Sequence, residues 1–309
     1  MVSASILVLT KNGSKDIGAL LQAVYSQEEV RASEVVLIDS GSSDATLQIA
    51  RQYPVRIEHI QPDSFHHART RNLAAELTSS EILVFLSQDA VPASPTWLAA
   101  MLANFKDAGV GAVYGRQFPK SQSSLERQNV LETIYGEQRL VKDPALGNRL
   151  GYRFYHFSDA NSAIRRSVWQ ATRFPEELAV FEDLGIAKRI LDAGWKIVYE
   201  PRACVFHSHQ HSTFELFKRY FDIGFTLKQL KIWNAPGVGA SMLRDARNLL
   251  KRKLVPSASR SSRAALNGLC QDLAKSAGLF LGLNERYLPL GVKKHLSAHQ
   301  VFRGNCAVG

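Results

Sequence analysis

Apolar positions along the first third of the chain follow two alternating rhythms. Short continuous runs of strand-forming residues, Ser5 to Thr10 (SILVLT), Glu34 to Ile38 (EVVLI), Val55 to Ile60 and Ile82 to Leu86 (ILVFL), predict buried strands. Between them lie helical spacings: Ile17, Leu20, Leu21 and Val24 share one face of a helix over 17–25, and a second helix is predicted over 68–77. The cluster Asp39-Ser-Gly-Ser-Ser-Asp44 is a turn followed by a helix start, with Ser43 or Asp44 as the cap of a helix over 45–52. Strands that alternate with helices build an α/β fold with a mostly parallel sheet. Ligands of such sheets sit outside the carboxyl ends of the strands. That rule gathers Thr10, Lys11 and Asn12 after the first strand, Asp39 after the second and Ser87-Gln88-Asp89 after the fourth into one crevice.

The middle of the chain is less regular. Strands are expected at Val113 to Gln117 and Lys196 to Tyr199, and a helix over Asp183 to Ala193. From His211 onward the pattern is helical. Phe214, Phe217, Phe221 and Phe225 recur opposite Lys218 and Lys228, and Met242, Ala246, Leu249 and Leu250 alternate with Arg244, Arg247, Lys251 and Arg252. Only Ser257 to Ser262 resembles a linker, and no internal repeat is present. The division expected is a catalytic domain over 1–211, with a nucleotide-binding half over 1–110 and an acceptor half over 111–211, then a basic helical extension over 212–309.

Composition sharpens this picture in two places. Residues 212–309 hold 16 Lys and Arg against 5 Asp and Glu, a balance of +11, so the preceding residues, with 22 against 23, carry −1. A basic tail on a neutral domain points to an anionic surface as partner. The three cysteines, Cys204, Cys270 and Cys306, are widely spaced and odd in number, which fits a reducing compartment. No secretory signal is expected at the N-terminus, and the dense apolar run Ala277 to Leu283 is far below the roughly 20 residues of a spanning helix.

Six segments carry a family resemblance: LVLTKNG, VVLIDSGSSDAT, FHHARTRN, FLSQDAVP, FSDANSAIRRSVW and FEDLGIAKRILDAGWKIVYEPRACVFHSH. Together, over about residues 3–210, they resemble the family 2 inverting glycosyltransferases, most closely those of rhamnosyltransferase type. The resemblance implies a GT-A fold, a sheet of Rossmann-like winding flanked by helices, with the C-terminal basic α-helical extension appended. It implies a nucleotide-sugar donor, possibly dTDP-rhamnose and otherwise a UDP-sugar, and a saccharide acceptor of a bacterial surface glycan, lipid-linked by analogy.

It also assigns roles. Thr10, Asn12, Asp39, Arg71 and Gln88 bind the nucleotide, Asp39 at the base and Arg71 at the diphosphate or base. His67, Asn72, Asp159 and Asn161 lie beside donor sugar and acceptor. Asp89 in the position of an Asp-x-Asp motif, together with His207 or His209, holds Mg²⁺ or Mn²⁺. Asp183 is the base that deprotonates the acceptor hydroxyl and Glu182 its neighbour, with the helix N-terminus keeping the carboxylate ionised. The residues by themselves allow plainer readings: Asp39 as a turn former, Glu182-Asp183 as helix-capping acids, His207 as a structural histidine.

Ser87 replaces the first acid of the motif, so a catalytically inactive, membrane-associated nucleotide-sugar-binding scaffold is the alternative. No G-x-G-x-x-G and no P-loop follows a strand, which counts against dinucleotide and P-loop enzymes. Nucleic acid is not expected as a partner, because the basic helices lack an aromatic stacking pattern. The tail is expected to lie on the inner face of the cell membrane, making the protein cytoplasmic and peripheral, or else to pack on the domain or in a homodimer.

Overall fold

The apolar runs of the sequence become the centre of a nine-stranded sheet in the computed structural model, which describes residues 2–120, 135–146, 148, 150–207, 211–235, 262–299 and 301–302. In chain order the first unit holds β1 (Ala4–Thr10), α1 (Ile17–Tyr25), β2 (Glu34–Asp39), α2 (Thr46–Ala50), β3 (Arg56–His59), α3 (His67–Glu76), β4 (Ile82–Ser87), β5 (Val91–Pro92) and α4 (Trp97–Leu102). It continues through β6 (Val110–Phe118), β7 (Leu140–Lys142), β8 (Asn161–Arg165), α5 (Arg166–Thr172), α6 (Glu182–Asp192) and β9 (Lys196–Phe206). This unit comprises residues 1–147, 157–177 and 182–209.

The strand order is β3-β2-β1-β4-β8-β6-β9-β5, with β7 also on β9. β1, β2, β3 and β4 are mutually parallel, and β6 runs parallel to β9. β8 is the reversed strand between β4 and β6, and β5 and β7 pair antiparallel to β9. The mostly parallel α/β expectation therefore holds, with β5, β7 and β8 as the reversed strands. Ile6, Val8, Leu37, Val84 and Leu86 from the central strands pack with Ile17, Leu20, Leu21 and Val24 of α1. That apolar layer, on the face α1 was expected to cover, fixes where the strand ends come out.

α2 is shorter than its pattern suggested. It starts after Ala45, and Asp44 accepts from the Thr46 N–H and hydroxyl at that end and from the Ser14 N–H. Those bonds tie the loop after β1 to the loop after β2 and hold the Asp44 carboxyl well below the usual carboxylate range. Gly41 adopts φ +88°, and a Cβ there would lie 2.7 Å from the Pro62 ring. Only glycine suits that turn.

The second unit comprises residues 148–156, 178–181 and 210–309. It contains α7 (Thr213–Gln229), α8 (Ser262–Leu283) and α9 (Leu290–Leu296). Ser212 and Glu215 form a reciprocal capping box at the start of α7. α7 and α8 run parallel and very close: a Cβ on Gly278 would meet the Phe217 carbonyl at 2.2 Å, and one on Gly282 the Phe221 carbonyl at 2.0 Å. Phe221 is fully buried, and Phe221 and Phe225 both contact Phe302. The Phe stripe of α7 is thus used in part inside the unit, while Phe214 stays exposed. The Met242–Arg252 pattern and most of the Ser257–Ser262 linker lie outside the described residues. Among the described residues no helix is long and apolar enough to cross a membrane.

Candidate active site

Parallel pairing places Thr10 beside Asp39 and Leu9 beside Ser87, so the ends of β1, β2 and β4 come out together. A cleft of about 280 Å³ opens there, lined among others by Thr10, Lys11, Ser40, Pro62, Phe65, His67, Arg71, Gln88, Asp89 and Asp159.

The floor of the cleft is tightly knit. Thr10 Oγ1 donates to Gln88 Oε1 at 2.6 Å, the Lys11 N–H donates to the same oxygen at 3.0 Å, and Gln88 Nε2 donates to the Lys11 carbonyl. Asn12, at φ 50°, accepts from the Ser43 N–H. Asp39 is 2% exposed. Its carboxylate accepts from the Gly41 and Ser42 N–H groups at 3.1 and 3.2 Å, with His59 Nδ1 at 3.4 Å. The turn-forming role of Asp39 is therefore present, and its neighbour Ser40 is the residue that lines the cleft.

One wall is an ion cluster. Arg71, buried on α3, forms an ion pair with Asp159, Nε to Oδ2 2.7 Å, and donates from Nη1 to Glu182 Oε1 at 2.6 Å. His67 lies one helical turn earlier, its Nδ1 3.8 Å from Glu182 Oε1, its ring edge-on to Phe65. Asp183 is next in the chain and its carboxylate accepts from the Leu184 N–H at the start of α6. Burial, with Glu182 adding to it against the pull of Arg71, pushes Asp159 up to about 6. Burial and the charges of Asp159 and Glu182 raise Asp183 well above the usual carboxylate range. The expectation that the helix N-terminus keeps Asp183 ionised is corrected here: desolvation and two neighbouring acids outweigh a dipole effect of about 1 kcal/mol.

The other wall pairs Asp89 with His207. His207 Nε2 is 3.4 Å from Asp89 Oδ1, and its Nδ1 contacts Gln117 Oε1 at 2.9 Å. Gln117 Nε2 donates to Tyr135 Oη at 2.8 Å and Ser158 Oγ at 2.9 Å, which leaves Oε1 to accept the Nδ1 proton. His207 Nε2 is thereby turned towards Asp89. A separation of 3.4 Å suits two ligands of one divalent ion at bond lengths of about 2.1 Å. Among the described residues no group of three or more metal-binding side chains occurs, so such an ion would also lean on donor phosphates. His209 lies outside the described residues.

The family model for glycosyl transferase family 2 matches residues 5–172, more than half of the chain. The chain belongs to that family. The transferase is 32% identical to the O-antigen chain rhamnosyltransferase WbaN of Salmonella anatum, over 91% of this chain and 89% of the relative. It is 29% identical to the O-antigen chain rhamnosyltransferase RfbN of Salmonella typhimurium, over 97% and 96%. Among solved structures it resembles TarS 1-349 of Staphylococcus aureus, with TM-score 0.57, 18% identity and coverage of 97% of this chain and 87% of that one. It also resembles the mannosyltransferase PcManGT of Pyrobaculum calidifontis in complex with GDP-Man and Mn²⁺, with TM-score 0.56, 17% identity and coverage of 95% and 75%. The GT-A expectation is thereby met.

Two residues expected to touch sugar or acceptor are interior fasteners of the transferase. Asn72 gives Nδ2 to the Phe174 carbonyl and Glu176, and its Oδ1 accepts from Trp169 Nε1 and the Phe174 N–H. Asn161 is fully buried, accepts from Trp97 Nε1 and donates to the Ala203 and Arg116 carbonyls. Both donors and both acceptor positions of Asn72 are thus used, while Asn161 Oδ1 accepts one hydrogen bond in a fully buried position. Arg71 likewise gives its Nε and Nη1 to carboxylates rather than holding them out to phosphate. Sequence reasoning assigned no role to Gln117 or Phe65. Nothing in the local pattern marks Gln117, whereas Phe65 is the first residue of the FHHARTRN segment already singled out.

Proposed function

We propose that this family 2 transferase moves rhamnose from dTDP-rhamnose, or failing that a sugar from a UDP-sugar, to a saccharide acceptor in bacterial surface glycan synthesis, inverting the anomeric centre. What supports the donor is similarity to two O-antigen rhamnosyltransferases along nearly the whole chain. The observation that carries the mechanism is a single cleft with Asp89, beside His207, at one wall and Asp159, tied through Arg71 to the dipeptide Glu182-Asp183, at the other.

In this reading the Asp39–Ser42 turn and Pro62 frame the base, and Thr10, Asn12 and Gln88 hold the strand ends that carry the nucleotide. Asp89 and His207 would hold Mg²⁺ or Mn²⁺, with His209 as a further candidate, and such an ion would supply positive charge for the diphosphate. His67 and Asp159 face the sugar. Asp183 takes the proton of the acceptor hydroxyl while that oxygen forms its bond to the anomeric carbon. The bond from that carbon to the diphosphate oxygen breaks on the opposite face, and the nucleoside diphosphate leaves. Glu182, held by Arg71, keeps Asp183 in place, so positioning and local charge supply much of the catalysis. Ser87, the ground for an inactive scaffold, leaves the Asp89–His207 pair intact. The acceptor is carried on a lipid, which places the enzyme peripherally on the cytoplasmic face of the membrane.

Calorimetric titration with dTDP, UDP, GDP and CMP, each with and without Mn²⁺, tests the reading. Binding of dTDP or UDP that needs the ion and disappears in Asp89→Ala is expected. Absence of binding by all four nucleotides would overturn this reading and the nucleotide-sugar-binding scaffold with it.

A further inference from the structure

The C-terminal unit shows large apolar side chains to solvent at a fixed interval. Leu266, Leu273, Phe280 and Tyr287 recur every seven residues along α8 and into the turn after it, and Leu290 opens α9 one step further; each is 56–69% exposed. At 100° per residue an interval of seven keeps these positions within a narrow stripe of the helix. Cys270 and Ala277, also exposed, fill the gaps, so the stripe carries no charge over its helical length.

The opposite side of α8 is already used. Gly278 and Gly282 lie against the α7 backbone, and Phe280 stands about 200° round the helix from Gly278. The stripe is therefore not the face that holds the unit together. A row of this kind is larger than the scattered apolar residues of an ordinary surface and marks a contact.

Charge indicates with what. Residues 212–309 carry +11, and after Glu285 the chain contains Arg286, Lys293, Lys294 and Arg303 but no acidic residue. Arg286 and Lys294 are exposed beside the stripe, Arg286 with its guanidinium 4.7 Å from the Tyr287 ring, and Lys294 one helical turn beyond Leu290. Arginine and tyrosine at the rim of an apolar row match the level at which headgroups meet acyl chains. A second copy of the same face would bring like charges together, whereas an anionic bilayer neutralises them. α8 spans about 33 Å and is not apolar enough to cross a bilayer, so it lies along the surface.

We propose that this stripe, Leu266–Leu273–Phe280–Tyr287–Leu290 with Arg286 and Lys294 at its edge, is the seat of the protein on an anionic lipid surface. It rests on the reading that the transferase works at a membrane and adds the face that meets the lipid.

Co-sedimentation of the full chain with vesicles of phosphatidylcholine alone, and with about one third phosphatidylglycerol, tests it without any donor or acceptor. Binding to the anionic vesicles, weakened by salt, is expected. It should fall at least tenfold in Leu273→Glu/Phe280→Glu and about tenfold in Arg286→Glu/Lys294→Glu. Circular dichroism verifies that each variant is folded, and dTDP titration reports the transfer site separately, so loss of one reading leaves the other standing. No vesicle binding, or binding untouched by both variants, overturns the proposal. So does a dimer in light scattering that Leu273→Glu/Phe280→Glu dissolves, because a second copy would then cover the stripe.

Discussion

Arg71 Nη1 reaches Glu182 Oε1 at 2.6 Å across 111 positions of sequence. The same guanidinium reaches Asp159 Oδ2 at 2.7 Å. One buried cation thus joins α3, the segment just before β8 and the start of α6, and ties the dipeptide that contains Asp183 to two residues that line the cleft, Arg71 and Asp159. Three carboxyls share that neighbourhood, so its charge balance depends on Arg71.

Arg71→Met removes the cation and leaves Asp159 and Glu182 buried without it. A loss of about 3–5 kcal/mol in stability is expected at pH 7. Urea unfolding should show a smaller loss at pH 5, where protonation relieves the uncompensated carboxyls. Equal losses at both pH values would mean that Arg71 acts through packing alone.

Asp183→Asn keeps shape and removes the proposed base. The turnover rate should fall by a factor on the order of 10²–10⁴. In the unaltered enzyme Asp183 must be ionised to act and its pKa is raised, so activity is expected to fall with acidification at a pH above the ordinary carboxylate range. A pH–rate profile checks both points. An acid limb at about pH 4, as for a solvated carboxylate, would contradict the burial argument.

Asp159 has a folded-state pKa of about 6, raised from 3.8. A raised carboxyl favours the folded state most below its unfolded pKa, and that contribution is lost as pH rises through about 6. Stability profiles between pH 4 and 7 should therefore contain a downward component with rising pH that Asp159→Asn lacks. Parallel profiles would show that the proton resides elsewhere in the cluster.

Gln117→Leu takes away the acceptor of the His207 Nδ1 proton while sparing both proposed metal ligands. Mn²⁺ affinity in the presence of dTDP should drop about 10–100-fold, as measured by titration calorimetry. Asp89→Ala should cost more, because it removes a ligand rather than its support.

Gly282→Ala sets two effects against each other in α8. Helix propensity favours alanine by about 1 kcal/mol. The new Cβ would stand 2.0 Å from the Phe221 carbonyl, and forcing two backbones apart costs about 1–3 kcal/mol or more. Net destabilisation is expected in thermal unfolding; a stabilised variant would show that the α7–α8 contact is looser than described.

The strands and first helix were legible because their signal is local. Ile17, Leu20, Leu21 and Val24 have no alternative to one helical face, and EVVLI and ILVFL have no other way to be buried. The carboxyl-end rule then sufficed to bring Thr10, Gln88 and Asp89 to one cleft. The position of β8 was not legible. Asn161–Arg165 has a polar start and few apolar residues, and is a strand because β4 and β6 pair with it from both sides.

The sequence by itself determined the α/β winding, the family and the chemical types at the strand ends, since periodicity and motif order are properties of neighbouring residues. Only the tertiary structure decided what each polar residue is bound to. Asn72 and Asn161, polar and close to motif residues, close on buried backbone and indole groups because an amide in the core must satisfy its own hydrogen bonds. Gln117 acquires its role from lying next to His207, which is 90 residues away in the chain. Asp183 is set by the acids and the burial that surround it rather than by its helix end, because desolvation and charge act through space and not along the sequence.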